Sequence, residues 1–307
     1  MTKLSKVINE QGLVPKETWQ KVVENLKCRV SGEGSKEKLK QSLIEAVKKR
    51  IPDEPFALFF SGGVDSALIA LILKQLNADF TCYAVGYQDG NELPQDIWYA
   101  REIAKKLDLK YEEKIFNTKE TRDIIKQAVK IFPAKEFDAN YFVTIDVASV
   151  IIAAKSIAKE KIFFSGLGAE EIFAGYNRHS KVKNINEECW RGLKEMWSRD
   201  LFRDVTLGMN LGIDLCVPFL DEDVVVEAMK FEGDRKINEE HKKIILREIA
   251  EELGLSKEFA WRKKQGAQYG SKFDKAVEKL TKMNGFEYKR EYIESLMKEN
   301  DVKVKKK

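Results

Sequence analysis

The stretch Phe56-Ala57-Leu58-Phe59-Phe60-Ser61-Gly62-Gly63-Val64-Asp65-Ser66-Ala67-Leu68-Ile69 runs from one apolar segment, through a glycine pair, into another. Pro55 to Phe60 is short and continuously apolar, which reads as a strand buried on both faces. Ala67 to Leu76 has the length of a helix and is apolar nearly all round, so that helix is expected inside the molecule. Between them, Gly62 and Gly63 allow a tight turn and the close approach of an anion that a Cβ would obstruct. Their N–H groups, with those of the helix start at Val64, Asp65 and Ser66, make a positive concavity at a helix N-terminus. Ser61 and Ser66 add hydroxyl donors, and Asp65 can bind the magnesium (Mg2+) that accompanies a polyphosphate. A bare Gly-Gly pair is usually a turn for geometry alone, but the full six-residue string after an apolar strand points to phosphate binding. No lysine follows the glycines, so this is not the Gly-x-x-x-x-Gly-Lys-Ser/Thr loop.

Outward from this loop the pattern alternates. Phe80 to Tyr87 is strand-like, Gln95 to Leu107 helical and Lys110 to Phe116 strand-like, and Lys119 to Phe132 and Thr144 to Lys159 are helical. Ile162-Phe163-Phe164 is a further buried strand that ends in Ser165-Gly166. Strands alternating with helices imply an α/β fold, a doubly wound and mostly parallel sheet, with ligands at the carboxyl ends of the strands. Beyond residue 185 strand signals disappear and Glu239 to Leu253 is the clearest helix, so the C-terminal portion is expected to be helical. Toward the N-terminus, Lys36 to Arg50 carries Leu39, Leu43, Ile44 and Val47 at helical spacing and stops before Pro52. Residues 1 to 31 allow one or two short helices, with Ser31-Gly32-Glu33-Gly34-Ser35 as a flexible link. The expected division is an extension over 1–36, a nucleotide-binding domain over 37–285 and a helical, basic tail over 286–307.

Composition narrows the function classes. The formal charge of +4 is small beside 54 basic and 50 acidic residues, which argues against a dedicated nucleic-acid binder. No signal peptide is read at the N-terminus, and the longest apolar stretches, Ala67 to Leu73 and Val147 to Ala154, fall short of a membrane span. Cys28, Cys82, Cys189 and Cys216 form no Cys-x-x-Cys pair, and with His179 and His241 they suggest no metal cluster. The expectation is a cytoplasmic protein with reduced thiols.

The loop Ser61 to Ser66 resembles the pyrophosphate-binding loop (PP-loop) of the N-type ATP pyrophosphatases, the adenine nucleotide alpha hydrolase-like superfamily. Three further segments resemble the synthetase domain of the asparagine synthetase family. Ser165-Gly166-Leu167-Gly168-Ala169-Glu170-Glu171 leads into Ala174-Gly175-Tyr176, where the family has Ser-Gly-x-Gly-x-Asp-Glu and Gly-Gly-Tyr. Val217-Pro218-Phe219-Leu220-Asp221 is similar to its Pro-Phe-Leu-Asp segment. Lys242 to Arg247, followed by Trp261-Arg262-Lys263-Lys264, is similar to its Lys-x-x-Leu-Arg helix and Arg-x-Lys loop. The resemblance spans roughly residues 37 to 282. It implies that ATP is split between its α- and β-phosphates, and that a small-molecule carboxylate, aspartate or another acid, is adenylated. Ammonia or an amine then displaces AMP. It implies Lys264 as principal catalytic cation with Arg262 and Glu170, Asp65 and Glu170 as metal ligands, and Ser165 and Gly166 beside the loop. Val85 and Gly86 would accept the adenine, although core packing explains them nearly as well. Asp221 reads equally as a helix cap before Glu222.

Two departures qualify these implications. The family normally begins with a cysteine on a glutaminase domain. Residue 2 here is Thr2, and about 36 residues precede the synthetase-like part, too few for such a domain. The expectation is therefore no glutamine hydrolysis in this chain, with ammonia from solution or from a separate glutaminase subunit, or another amine as nucleophile. Leu167 stands where the family carries an acid, which puts aspartate in doubt, and Glu170 replaces an aspartate while keeping a hard oxygen ligand. Two other readings stay open. A tRNA-modifying enzyme would want a basic RNA-binding module and paired cysteines, neither of which is seen beyond the tail Lys303 to Lys307. A non-catalytic nucleotide-binding regulator is favoured by Leu167 and opposed by Asp65, Glu170 and Lys264. The oligomeric state, a homodimer included, is left open.

Overall fold

A computed structural model describes residues 8–9, 12–134, 137–263 and 266–304 of the chain. Its frame is a five-stranded sheet: β1 (Phe56–Phe59), β2 (Phe80–Tyr87), β3 (Tyr111–Phe116), β4 (Ile162–Phe164) and β5 (Asp214–Cys216), in spatial order β3-β2-β1-β4-β5. Every pairing is parallel, with Phe56 opposite Phe80, Ala57 opposite Phe163 and Phe164 opposite Cys216. The order reverses between β1 and β4. Chains leaving these two strands diverge, and the crevice outside their carboxyl ends is where open α/β sheets bind ligands.

Helices α3 (Val64–Gln75) and α4 (Gln95–Lys106) make the crossovers from β1 to β2 and from β2 to β3. Every residue of α3 from Val64 to Leu73 is buried, because it packs between the sheet, α2 (Lys36–Lys48) and α11 (Ile244–Glu252). A second core forms where α5 (Thr118–Ile131), α6 (Ala139–Ile157), α14 (Phe273–Met283) and α15 (Lys289–Val304) close on Val85, Tyr87 and Phe116. The sheet lies between these helical layers, the doubly wound α/β fold expected from the sequence.

Local signals set several boundaries. Asn117 and Glu120 form a reciprocal capping box that starts α5. Asp138 accepts from the Tyr141 N–H at 2.8 Å, so α6 begins at Ala139, five residues before the helix expected from Thr144. Among the described residues α6 is also the one helix whose length and composition would cross a membrane (Asn140–Ile157); it packs on α5, α9 (Phe202–Leu211) and α14. Two sequence expectations are corrected. Strand signals do not end at residue 185, since β5 extends the sheet beyond β4 and is too short at three residues to show a periodicity. The helix expected from Glu239 starts at Ile244, because Ile237 and Lys242 form an antiparallel bridge and Lys243 takes a left-handed conformation, φ 59°.

The N-terminal residues join the same core. Trp19, Val23 and Leu26 of α1 (Lys16–Arg29) are buried, the Trp19 indole N–H donates to the Leu193 carbonyl at 2.8 Å, and the Trp197 indole N–H donates to Val14 at 2.7 Å. The link before α2 is also packed: a Cβ on Gly34 would lie 2.8 Å from the Phe231 ring.

Asp146 is a carboxyl buried on α6, and burial pushes it up to about 7, with Lys289 pulling it partly back and Asp274 and Glu278 adding to the rise. Between its ordinary value of 3.8 and about 7 the native state holds a proton that the unfolded chain has lost. This group's contribution is therefore fully present below that window and declines as pH rises through it. Asp146→Asn should gain stability relative to the parent between pH 5 and pH 8, by on the order of 2 kcal/mol. Urea unfolding of both proteins at the two pH values measures this, and a difference that does not change with pH would refute it.

Candidate nucleotide site

The loop after β1 is built by its own side chains. Ser61 Oγ accepts from the Gly63 N–H at 3.4 Å and the Ser66 hydroxyl donates to the Gly63 carbonyl at 3.1 Å. Gly62 has φ +64°, and a Cβ there would lie 2.6 Å from the backbone nitrogen of Ala100, so both conformation and space demand glycine. Next to it, the loop after β4 repeats the device: Ser165 Oγ accepts from the Leu167 N–H at 3.3 Å. A Cβ on Gly166 would lie 3.0 Å from Cβ of Asp65, which shows how closely the two loops meet.

Arg262 fastens the first loop to the rest of the fold. Its Nε donates to the Gly62 carbonyl at 2.8 Å, and Nη2 donates to the Ser61 carbonyl at 3.0 Å and to Asp96 Oδ1 at 3.2 Å. The guanidinium lies 4.1 Å from the Tyr99 ring centroid. These contacts tie the carbonyl side of the loop to α4. Arg247 extends the support by donating to the carbonyl of Arg262 at 3.1 Å and to that of Ala260.

Asp65, on the first turn of α3, and Glu170, on α7 (Ala169–Ile172), meet at one point. The Lys243 ammonium lies between them, donating to Asp65 Oδ1 at 2.9 Å, Asp65 Oδ2 at 2.7 Å and Glu170 Oε1 at 2.7 Å. Lysine is almost never buried unless paired, and Lys243 is 4% exposed. Burial alone would depress its pKa, but the two carboxylates outweigh it and hold the ammonium above its ordinary value. Its left-handed backbone is uncommon for a residue with a side chain. Gly175 completes the seat, since a Cβ there would lie 1.7 Å from Glu170 Oε2.

The remaining candidates separate by position. Glu171 accepts at 2.9 Å from both the Tyr176 hydroxyl and Arg199. Asp221 caps α10 (Glu222–Met229) by accepting from the Asp223 N–H, and pairs with Arg50 at 2.8 Å and with Lys49. Burial raises and these two cations lower its pKa, with a net depression. Val85 and Gly86 lie at the carboxyl end of β2, where Val85 joins the second core and Gly86 is pressed on Pro94. Lys264 and Gln265 lie outside the described residues. In sequence Lys243 is the lysine of the Lys-x-x-Leu-Arg segment that ends at Arg247, and nothing in that pattern places it between two carboxylates.

Among the described residues no group of three or more His, Cys, Asp or Glu side chains could hold a metal ion unaided. The seat nevertheless fits magnesium, which typically takes one or two carboxylates and completes its shell with phosphate oxygens and water. Asp65 and Glu170 already share one cation.

Fold and site together define a nucleotide-binding α/β protein with its anion loop at the point where strand order reverses. The family model described as asparagine synthase matches residues 38–186 and 178–284. The chain belongs to the asparagine synthase family. It is 30% identical to a putative glutamine-hydrolyzing asparagine synthetase of Methanocaldococcus jannaschii, over 91% of this chain and 58% of that protein. It is also 30% identical to the glutamine-hydrolyzing asparagine synthetase of Bos taurus, over 73% of this chain and 41% of that protein. The chain thus spans between two fifths and three fifths of the length of these relatives. Among solved structures, the NAD+ synthetase of Burkholderia pseudomallei aligns over 97% of this chain and 98% of its own, with 13% identity and a TM-score of 0.42.

Arg262→Ala should loosen the loop and lower global stability by about 2–4 kcal/mol, since buried hydrogen bonds to a charged group are each worth ~1.5–3 kcal/mol. Arg262→Lys should not restore it, because an ammonium lacks the planar fork that reaches both carbonyls. Urea denaturation measures both, and a loss below about 0.5 kcal/mol, the range of ordinary surface substitutions, would show that the loop does not depend on this side chain.

Proposed function

We propose that the chain is an ATP-dependent, AMP- and pyrophosphate-forming carbon–nitrogen ligase. The observation that carries this reading is the convergence of Asp65 and Glu170, from two adjacent strand ends, beside the glycine loop. A carboxylate oxygen of a small acid attacks the α-phosphorus of ATP. A new P–O bond forms there as the bond to the β-phosphate bridging oxygen breaks, and pyrophosphate leaves with that electron pair. Ammonia or an amine then attacks the acyl carbon, the bond to the AMP oxygen breaks, and the nitrogen loses its proton to solvent. The loop N–H groups, Ser61 and Ser66 hold the departing phosphates, and the shape Arg262 gives the loop aims those donors. Bound magnesium, held by Asp65 and Glu170, would supply neutralisation of the leaving pyrophosphate.

Aspartate or another small acid serves as substrate, with Leu167 altering the pocket where the family carries an acid. Nitrogen comes from free ammonia, an amine, or a separate glutaminase subunit. Lys264 stabilises the charge that develops as nitrogen attacks, a task suited to a compact ammonium. Three of the four cysteines are buried, and the lack of any Cys-x-x-Cys pair suits a protein of a reducing, cytoplasmic setting.

ATP–pyrophosphate exchange, screened against a panel of carboxylic acids, should reveal the acid, and chromatography after turnover should show AMP. ADP as the main product would overturn the reading. With the acid known, Lys264→Ala should cut turnover roughly a hundred- to thousandfold, ~2.7–4 kcal/mol, with stability nearly unchanged, and Lys263→Ala should do much less. Near-normal turnover in both variants would remove this loop from the chemistry.

A further inference from the structure

The place between Asp65 and Glu170 is already taken by a cation belonging to the chain. Lys243 meets three carboxylate oxygens at 2.7 to 2.9 Å and is buried. Two more cations bear on the same carboxylates: Arg247 feels Asp65 and Glu170, and Lys242 feels Glu170. The two carboxylates are therefore already countered by a buried protein cation before any metal arrives. A bare divalent ion entering there would have to push the ammonium aside and add two further positive charges at low dielectric. A polyphosphate brings the negative charge that makes the same exchange favourable.

We propose that Lys243 is a tethered cation that excludes a divalent metal from the Asp65–Glu170 pair until a polyphosphate enters with it. The inference rests on the reading of Asp65 and Glu170 as metal carboxylates under the proposed function. It adds an order to binding: free metal does not occupy the nucleotide-free site, and metal arrives as its polyphosphate complex. In the empty site Lys243 also keeps the two carboxylates together, so they are in place when the complex lands.

The test follows Mn2+ by electron paramagnetic resonance in the full-length protein, without turnover. The parent should retain no Mn2+ in a saturable site when the metal is offered alone, and should retain it when pyrophosphate is added. Lys243→Gln, a neutral side chain of similar length, should bind Mn2+ alone at least about tenfold more tightly than the parent. Adding Asp65→Asn to that variant should abolish the gain. Equal Mn2+ binding by parent and variant, or a parent that retains none with pyrophosphate, would overturn the proposal. Should Lys243→Gln fail to fold, the parent with and without pyrophosphate still decides it. The ligase reaction is judged separately by pyrophosphate exchange. An inactive chain that shows the Mn2+ difference keeps this inference, and an active one without it loses it.

Discussion

The contact of the Lys243 ammonium with Asp65 and Glu170 joins three parts of the chain that are far apart in sequence: the start of α3, the short helix after β4 and the start of α11. Lys243 and Asp65 would each be unfavourable alone, because a buried charge loses its hydration, and the partly exposed Glu170 adds a second carboxylate to the ammonium. Together they satisfy one another, so the contact depends on all three elements being brought together. The neighbouring glycines follow from this contact. Gly166 and Gly175 stand where a Cβ would strike Asp65 or Glu170. The left-handed backbone at Lys243 is explained in the same way, since a local cost is tolerated where tertiary contacts over-determine it.

Around this triad the sheet uses one device twice. Ser61-Gly62 and Ser165-Gly166 both end a strand, and in each the serine hydroxyl accepts from the N–H two residues later. Such local bonds offer the backbone an alternative to continuing the ladder. Because β1 and β4 are neighbours at the point of reversed order, the two turns lie side by side. Arg262 then fixes one of them to α4 through Asp96 and Tyr99, and its guanidinium holds the Ser61 and Gly62 carbonyls. Under the proposed function this rigidity would matter, because pre-aimed donors need no reorganisation when charge develops.

Only part of a relative's length is represented in this chain, yet its first helices are not loose appendages. α1 and α2 supply Trp19, Leu39 and Leu43 to the core that buries α3, and Asp221 ties α10 to Arg50 just after α2. The expected boundary at residue 36 follows the motif-bearing sequence, whereas burial follows which faces are apolar. These are different properties of the chain, and they need not end at the same residue.

The sequence by itself determined the strand–loop–helix unit at Phe56 to Leu76, the alternation that makes a parallel sheet, and the identity of the loop residues. These depend on local periodicity and on glycine's backbone freedom, which act over a few residues. It also pointed to Asp65 and Glu170, since both follow directly from strand ends. It did not reveal β5, whose three residues are held by pairing with β4 and carry no pattern of their own. Nor did it show that Arg262 reaches under the loop to carbonyls two hundred residues away, or that Lys243, the lysine of the Lys-x-x-Leu-Arg segment, is the residue between the carboxylates. Those facts were decided by tertiary structure, because burial and charge pairing depend on which distant segments the fold brings together, and no local pattern encodes that distance.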